Sequence, residues 1–294
     1  MGHKGTFGTV LVIGGSCLVP SEAPSRAVRM FGGAALAALA ALRSGCGLAR
    51  LMTPAPLLDA ALSVAPVCTG VPMPVDTAGE IIPHLAAQAL DHQLAQCHAV
   101  VIGPALGGGL AVEQLVLRAL GQDRVPVVAD ADALNALART TDFARDLRAA
   151  LVLTPHPGEF ERLAGPLGIT HDATHEQQRP LAAQSLAQRL GATVVLKGAR
   201  TVVSDTHDHW TLDRPNPALA TGGSGDILAG IIAGLIAQTH ASNPRPSLYD
   251  LARAGVWAHA EAARRWTETS HAGSGMLASD LLDLLPQSIE PMRR

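Results

Sequence analysis

Five short runs of aliphatic and β-branched residues, each ended by a glycine, proline or acidic residue and then by a helix-like stretch, constrain this chain more than any other feature. They are Thr9–Ile13, Ala99–Ile102, residues 125–129, Leu151–Leu153 and Thr193–Leu196. Past their first residues the runs are almost wholly apolar instead of alternating, so both faces of each strand are expected to be covered. Strands covered on both faces and followed by helices belong to a parallel sheet with crossover connections. The expected fold class is α/β, with a mostly parallel sheet between helical layers. Helical character is read at residues 34–42, 113–120, 131–138, 176–190, 227–237, 248–267 and 278–284. The 227–237 stretch is apolar nearly all round and should be buried, whereas the last two are amphipathic. Residues 239–247, polar and holding Pro244 and Pro246, read as a surface loop. No repeat, low-complexity tract or linker composition appears, so residues 1–294 are expected to form a single domain.

Composition excludes several functions. Lys and Arg number 22 against 25 Asp and Glu, a formal charge of −3, which gives no footprint for nucleic acid. Hydrophobic residues make up 48% and aromatics 3%, so the core must be built from Ala, Leu, Val and Ile. Cys17, Cys46, Cys68 and Cys97 lie far apart with no CxxC, which removes zinc-ribbon and dithiol redox readings and leaves reduced, mostly buried thiols. No stretch reads as a signal peptide or a membrane span, so the expectation is a cytoplasmic protein without a membrane partner. Met1-Gly2 with Thr6 formally fits an acylation pattern, but the glycines there have a better structural use. Twelve histidines do not make a metal site: His171 and His175 fall in a polar loop without a third ligand, and His207 and His209 fit a turn between Val203 and Trp210.

Ligands of open parallel sheets bind beyond the carboxyl ends of the strands. The segments there are Gly14-Gly15-Ser16, the glycine-rich 103–109, Asp130-Ala131-Asp132, Thr154-Pro155-His156-Pro157-Gly158-Glu159 and Lys197-Gly198. The sharpest motif is Gly222-Gly223-Ser224-Gly225-Asp226, which runs into the buried helix. Gly222, Gly223, Ser224 and Gly225 would supply amides at a helix start, an anion hole. Asp226 at its mouth reads in two ways, as a helix cap or as a base that takes a proton from a substrate hydroxyl while the amides hold a transferring phosphoryl group. No GxGxxG, no GxxxxGK[ST] and no GxSxG occurs, which removes support from dehydrogenase, P-loop and hydrolase readings. Lys197 and Thr201 bracket a strand-turn-strand where the ammonium could meet phosphate, or be a plain hairpin lysine. His156, in a Pro-flanked turn, could donate to a substrate amide or phosphate or be purely structural, and Asp130 with Asp132 could help hold Mg²⁺ through water or cap the next helix.

Taken in order, these segments resemble the ADP-dependent NAD(P)H-hydrate dehydratases of the ribokinase-like superfamily. The resemblance spans nearly the whole chain and rests on His3-Lys4-Gly5, Gly33-Ala34-Ala35, Arg43-Ser44-Gly45, Gly103-Pro104, Asp130-Ala131-Asp132-Ala133-Leu134-Asn135, 154–159, Lys197-Gly198, 222–226 and Ser279-Asp280-Leu281. It implies a ribokinase-like three-layer α/β/α fold and repair of NADH or NADPH hydrated on the nicotinamide ring, acting on the S epimer. ADP, or ATP, would be the phosphoryl donor with Mg²⁺, and AMP and phosphate would leave with the repaired dinucleotide. Carried over residue by residue, Asp226 is the base and substrate contact. Ala34, Gly107 and His156 would line the hydrated dinucleotide, and Lys197, Gly198, Ala199, Arg200, Thr201 and Gly225 would contact the AMP portion. The family usually has Thr at Ser224 and Gly at Ala105, and Met30-Phe31-Gly32 is atypical. The resemblance also implies a homotetramer and an epimerase on a separate chain. Two other readings share the motif: a ribokinase-like kinase of a vitamin precursor, and a non-catalytic nucleotide-binding protein.

Overall fold

The computed structural model describes residues 2–17 and 28–293, so Met1 of the acylation pattern lies outside it. Among these residues nine strands form one sheet: β1 (Thr9–Ile13), β2 (Leu48–Pro54), β3 (Thr69–Met73), β4 (Ala99–Ile102), β5 (Val127–Ala129), β6 (Leu151–Leu153), β7 (Thr193–Leu196), β8 (Val202–Ser204) and β9 (His209–Thr211). Their order is β3-β2-β1-β4-β5-β6-β7-β8-β9. Pairing is parallel from β3 through β7, and the last two strands add antiparallel hairpins. The fold is therefore a mostly parallel α/β sheet with helices on both faces.

The period-2 geometry of a strand sorts the apolar runs into two cores. Val10, Val12, Val101, Val128, Val152 and Val195 face one side. Leu11, Ile13, Val100, Ile102, Val127, Leu153 and Val194 face the other. On the first side lie α1 (Gly32–Arg43), α2 (Leu58–Val64), α8 (Ser224–Gln238), α9 (Leu248–Ser270) and α10 (Asp280–Ile289). The second side is covered by α3 (Pro83–Leu94), α4 (Leu110–Leu120), α5 (Asp132–Arg139), α6 (Pro157–Leu167) and α7 (Arg179–Leu190). Because α8 lies between the sheet, α1 and α9, its all-round apolar surface is buried as expected. Alanines let α1 and α8 approach closely, to the point that a Cβ added at Gly230 would stand 2.2 Å from the Ala37 carbonyl oxygen. The alanine-rich stretch is thus a packing seam that brings two helix N-termini together.

Several boundaries move. The third run enters the sheet at Val127, after Pro126, and not at residue 125, because the proline lacks the ladder N–H. The stretch read from residue 176 becomes helical only at Arg179, with Pro180 in its first turn. The helix read from residue 113 begins at Leu110, just after Gly109. The Pro-flanked turn at His156 is the start of α6, with Pro157 at its first position. Strands β2 and β3 went unread because Arg50, Gly70 and Pro72 interrupt their apolar pattern. Cys17, Cys46 and Cys97 are buried and Cys68 half-buried, all as free thiols; burial pushes Cys46 and Cys97 up to about 12. No described helix is long and apolar enough to cross a membrane.

Candidate active site

The carboxyl ends of β1 and β4–β7 point to the edge of the sheet where α1, α5, α6 and α8 begin, and the chemistry-bearing loops meet there. Asp226 occupies the third position of α8, whose first turn has no side-chain cap. The carboxylate reaches across to the first turn of α1, also without a side-chain cap: a Cβ added at Gly33 would stand 2.7 Å from Asp226 Oδ2. Asp226 accepts no hydrogen bond from the described residues. Burial pushes its pKa up to about 7, and Asp130, Asp132 and Glu159 push in the same direction while Lys197 pulls it down. A half-buried carboxylate without hydrogen-bond partners, poised near neutrality, is suited to taking a proton.

Lys197 leaves the end of β7 beside this group. Its ammonium donates to Asp130 Oδ1 at 2.6 Å and lies 3.7 Å from Glu159 Oε2. Burial opposes its charge, but Asp130 and Glu159 outweigh it and carry its pKa above the ordinary lysine value. Asp130, buried after β5, also accepts from Thr154 Oγ1 at 2.7 Å. Ala131, which follows, has φ +49°, a left-handed conformation unusual for alanine at the start of α5. Asp132 Oδ2 accepts from the Gly107 N–H at 2.8 Å and fixes the glycine loop after β4. Ala105 in that loop has φ +55°, which explains in backbone terms why a glycine is usual at this position.

Two cavities open on either side of this cluster. The larger, about 520 Å³, is lined by His156, Lys197, Gly198, Ala199, Thr201, Ser224 and Gly225, with Leu212, Leu219, Leu228 and Val256 as apolar wall. At its floor Ser224 Oγ lies 3.1 Å from His259 Nε2, and burial pushes that histidine down to about 4, so it stays neutral. The smaller, about 330 Å³, is lined by Gly15, Ser16, Met30 and the loop of Gly107. The structure thus gathers Lys197, Gly198, Ala199, Thr201, Ser224 and Gly225 into one cavity and puts Gly107 in the other; His156, expected beside Gly107, lines the cavity of Lys197 instead, and Gly222, Gly223 and Asp226 line neither. Arg200 lines neither and pairs with Glu176 and Asp213. Ala34 is wholly buried, backbone included, and the accessible part of the first turn of α1 is Gly32 and Gly33, which precede it.

His156 is committed locally. It is the N-cap of α6: its Nδ1 accepts from the Gly158 N–H at 3.0 Å, and Glu159 returns the bond by accepting from the His156 N–H at 2.8 Å. Glu159 is a member of the site that sequence reasoning left without a role, although an acidic residue three positions after the cap was a signal for it. Gly33 was marked only by the resemblance, within Gly33-Ala34-Ala35, and without a role of its own.

A family model described as NAD(P)H-hydrate dehydratase matches residues 27–287. The chain belongs to this family. It is 38% identical to the bifunctional NAD(P)H-hydrate repair enzyme Nnr of Moorella thermoacetica, over 97% of this chain and 50% of that one. It is 36% identical to the ADP-dependent (S)-NAD(P)H-hydrate dehydratase of Neisseria meningitidis, over 95% of this chain and 84% of the relative. The chain therefore spans about half the length of the bifunctional relatives. Among solved structures, an ADP/ATP-dependent NAD(P)H-hydrate dehydratase from Bacillus subtilis, co-crystallised with ATP/Mg²⁺, superposes with TM-score 0.74 at 30% identity, over 99% of this chain and 91% of the other. The layered fold is also that of ribokinase-like superfamily proteins, so the family match and the architecture agree.

Proposed function

We propose that this chain restores NADH or NADPH from the S epimer of its hydrate in a reaction driven by ADP. The observation that carries the reading is Asp226: half-buried, without a hydrogen-bond partner among the described residues and raised to about 7 at the uncapped start of α8, against Gly33 of α1 and next to Gly225 of the larger cavity. Hydroxide is a poor leaving group, and phosphorylation makes it a good one. In the first step Asp226 takes the proton of the ring hydroxyl, and the oxygen attacks the terminal phosphorus of ADP, breaking its bond to the bridging oxygen and releasing AMP. Amides of Gly222, Gly223 and Gly225 at the helix start stabilise the charge on the phosphoryl oxygens, whereas the Ser224 N–H already donates to the Thr221 oxygen at 3.3 Å, so the expected four-amide hole is reduced to three. The ring nitrogen lone pair then expels phosphate, and loss of a proton from the neighbouring carbon restores the dihydropyridine.

The AMP portion sits in the larger cavity against Lys197, Gly198, Ala199, Thr201 and Gly225, and the hydrated dinucleotide approaches from Gly107 and the first turn of α1 at Gly32 and Gly33, just before Ala34, with His156 at the rim. Among the described residues no three His, Cys, Asp or Glu side chains converge to cage a metal. The hard oxygens of Asp130 and Asp132 suit a magnesium ion that keeps its waters and rides on nucleotide phosphates. When bound, the ion offsets phosphate charge. The reading also includes an epimerase as functional partner and a cytoplasmic homotetramer, the latter testable by light scattering.

The experiment follows the reduced-nicotinamide absorbance after mixing the protein with hydrated NADH, Mg²⁺ and ADP. Recovery by the wild type and not by Asp226→Asn, with release of AMP and phosphate, is expected. A flat trace from a protein that instead leaves phosphate on another alcohol would replace this reading with the vitamin-precursor kinase.

A further inference from the structure

Arg179, the first residue of α7, is buried, 7% exposed, and forms no ion pair among the described residues. Its guanidinium is spent on main-chain carbonyls. Nη1 donates to the Ala173 oxygen at 2.6 Å, and Nη2 faces the oxygens of Leu196, Lys197 and Arg200 at 2.9, 3.1 and 3.4 Å. The group lies directly under the turn: a Cβ added at Gly198 would stand 2.7 Å from Nη2 and 3.0 Å from Cζ. A trans peptide points its N–H opposite to its C=O. Drawing the Lys197 and Arg200 carbonyls toward Arg179 therefore turns the N–H groups of Gly198 and Thr201 away from it, and both residues line the larger cavity. Neither N–H is used in a backbone hydrogen bond among the described residues. The buried positive charge below and the two outward donors above make a concavity for an anionic ligand.

We infer that Arg179 is the positioning residue of the nucleotide turn, holding the Gly198 and Thr201 N–H groups toward a nucleotide phosphate without touching the nucleotide itself. The inference rests on the proposed function only in taking ADP as that nucleotide. Calorimetric titration with ADP, together with steady-state kinetics, of the full chain carrying Arg179→Lys or Arg179→Met tests it. Loss of charged hydrogen bonds should raise the ADP Kd and KM by about tenfold or more in Arg179→Met. Arg179→Lys, which keeps the charge without the planar fork, should fall between. The KM for the hydrated dinucleotide, and kcat at saturating ADP, should stay near wild type, which a general loss of structure would not allow.

Should Arg179→Met fail to fold, Gly198→Ala gives the same information with the arginine in place, because its methyl group displaces the guanidinium. It should weaken ADP alone. ADP affinity unchanged in the folded variants, or ADP and dinucleotide affinities falling together, overturns the inference while leaving the proposed function standing. A wild type that neither binds ADP nor restores absorbance overturns both.

Discussion

Helices α6 and α8 start at the same edge of the same sheet, and each has an acidic residue at its third position, yet they treat it in opposite ways. In α6, Glu159 bonds back to the His156 N–H while the His156 ring accepts the helix amides, so the helix start is closed. In α8, Asp226 accepts no hydrogen bond from the described residues, and none of their side chains caps the first turn. A helix start that satisfies its own donors is part of the scaffold, whereas one that leaves them open is available to an anion. The pair removes one of the two readings of Asp226 that the sequence left open: capping is what Glu159 does and Asp226 does not.

The sharpest way to break the contrast is Asp226→Asn. General-base catalysis is worth about 10²–10⁴-fold, and turnover should fall by that amount. For the wild type, kcat/KM should rise with pH up to about 7, where Asp226 ionises, and then level off; the variant should lack this limb. Stability moves the other way. A carboxyl whose pKa is raised on folding is favoured in its protonated form, so the folded chain loses stability as pH climbs from 3.8 to about 7 and carries the full cost above. Asp226→Asn should therefore be more stable than wild type by up to about 4 kcal/mol at pH 8, an advantage absent near pH 3.5, read from urea unfolding at the two pH values. An inactive variant with no gain at pH 8 would mean the carboxylate is not strained by its site.

Gly33→Ala tests the same carboxylate from the side of α1. The added methyl group would meet Asp226 Oδ2 at 2.7 Å, so the carboxylate must shift. A displacement of this kind costs about 10²-fold in turnover. Alanine is the better helix former, so the thermal midpoint should hold or rise. Equal losses of activity and stability would show that the close approach of α1 is packing alone.

How much of this was legible beforehand depends on whether the signal was local. The five parallel strands are contiguous apolar runs, and Asp226 follows four residues that include three glycines, so both could be read along the chain. Strands β2 and β3 could not, because Arg50 and Pro72 are admitted by their places in the sheet and not by pattern. Nor could the Lys197–Asp130 pair, whose members are 67 residues apart and meet only because β5, β6 and β7 are neighbours. Arg179 was invisible for a related reason: its partners are carbonyl oxygens, which every residue carries. Arg200 shows the converse, since it lies inside the recognised segment and its side chain turns away to Glu176 and Asp213.

On the closed side of the comparison the effects are smaller and fall on stability. Glu159→Ala removes the returning bond of the capping box and one of the carboxylates near Lys197, and should lower unfolding free energy by ~1–2 kcal/mol with kcat far less affected than in Asp226→Asn.

His156 gives the finest division, because its ring caps α6 through Nδ1 while half of the side chain faces the larger cavity. His156→Ala should cost ~1 kcal/mol of stability, whereas His156→Asn, which can cap in the same way, should cost only a few tenths, about 0.3 kcal/mol. Both remove the outer edge of the imidazole. If that edge contacts the hydrated dinucleotide, the two variants raise its KM by the same factor, about threefold for one neutral hydrogen bond, despite their unequal stabilities. A KM that rises in the alanine variant alone would mean that the substrate feels His156 only through the position of α6.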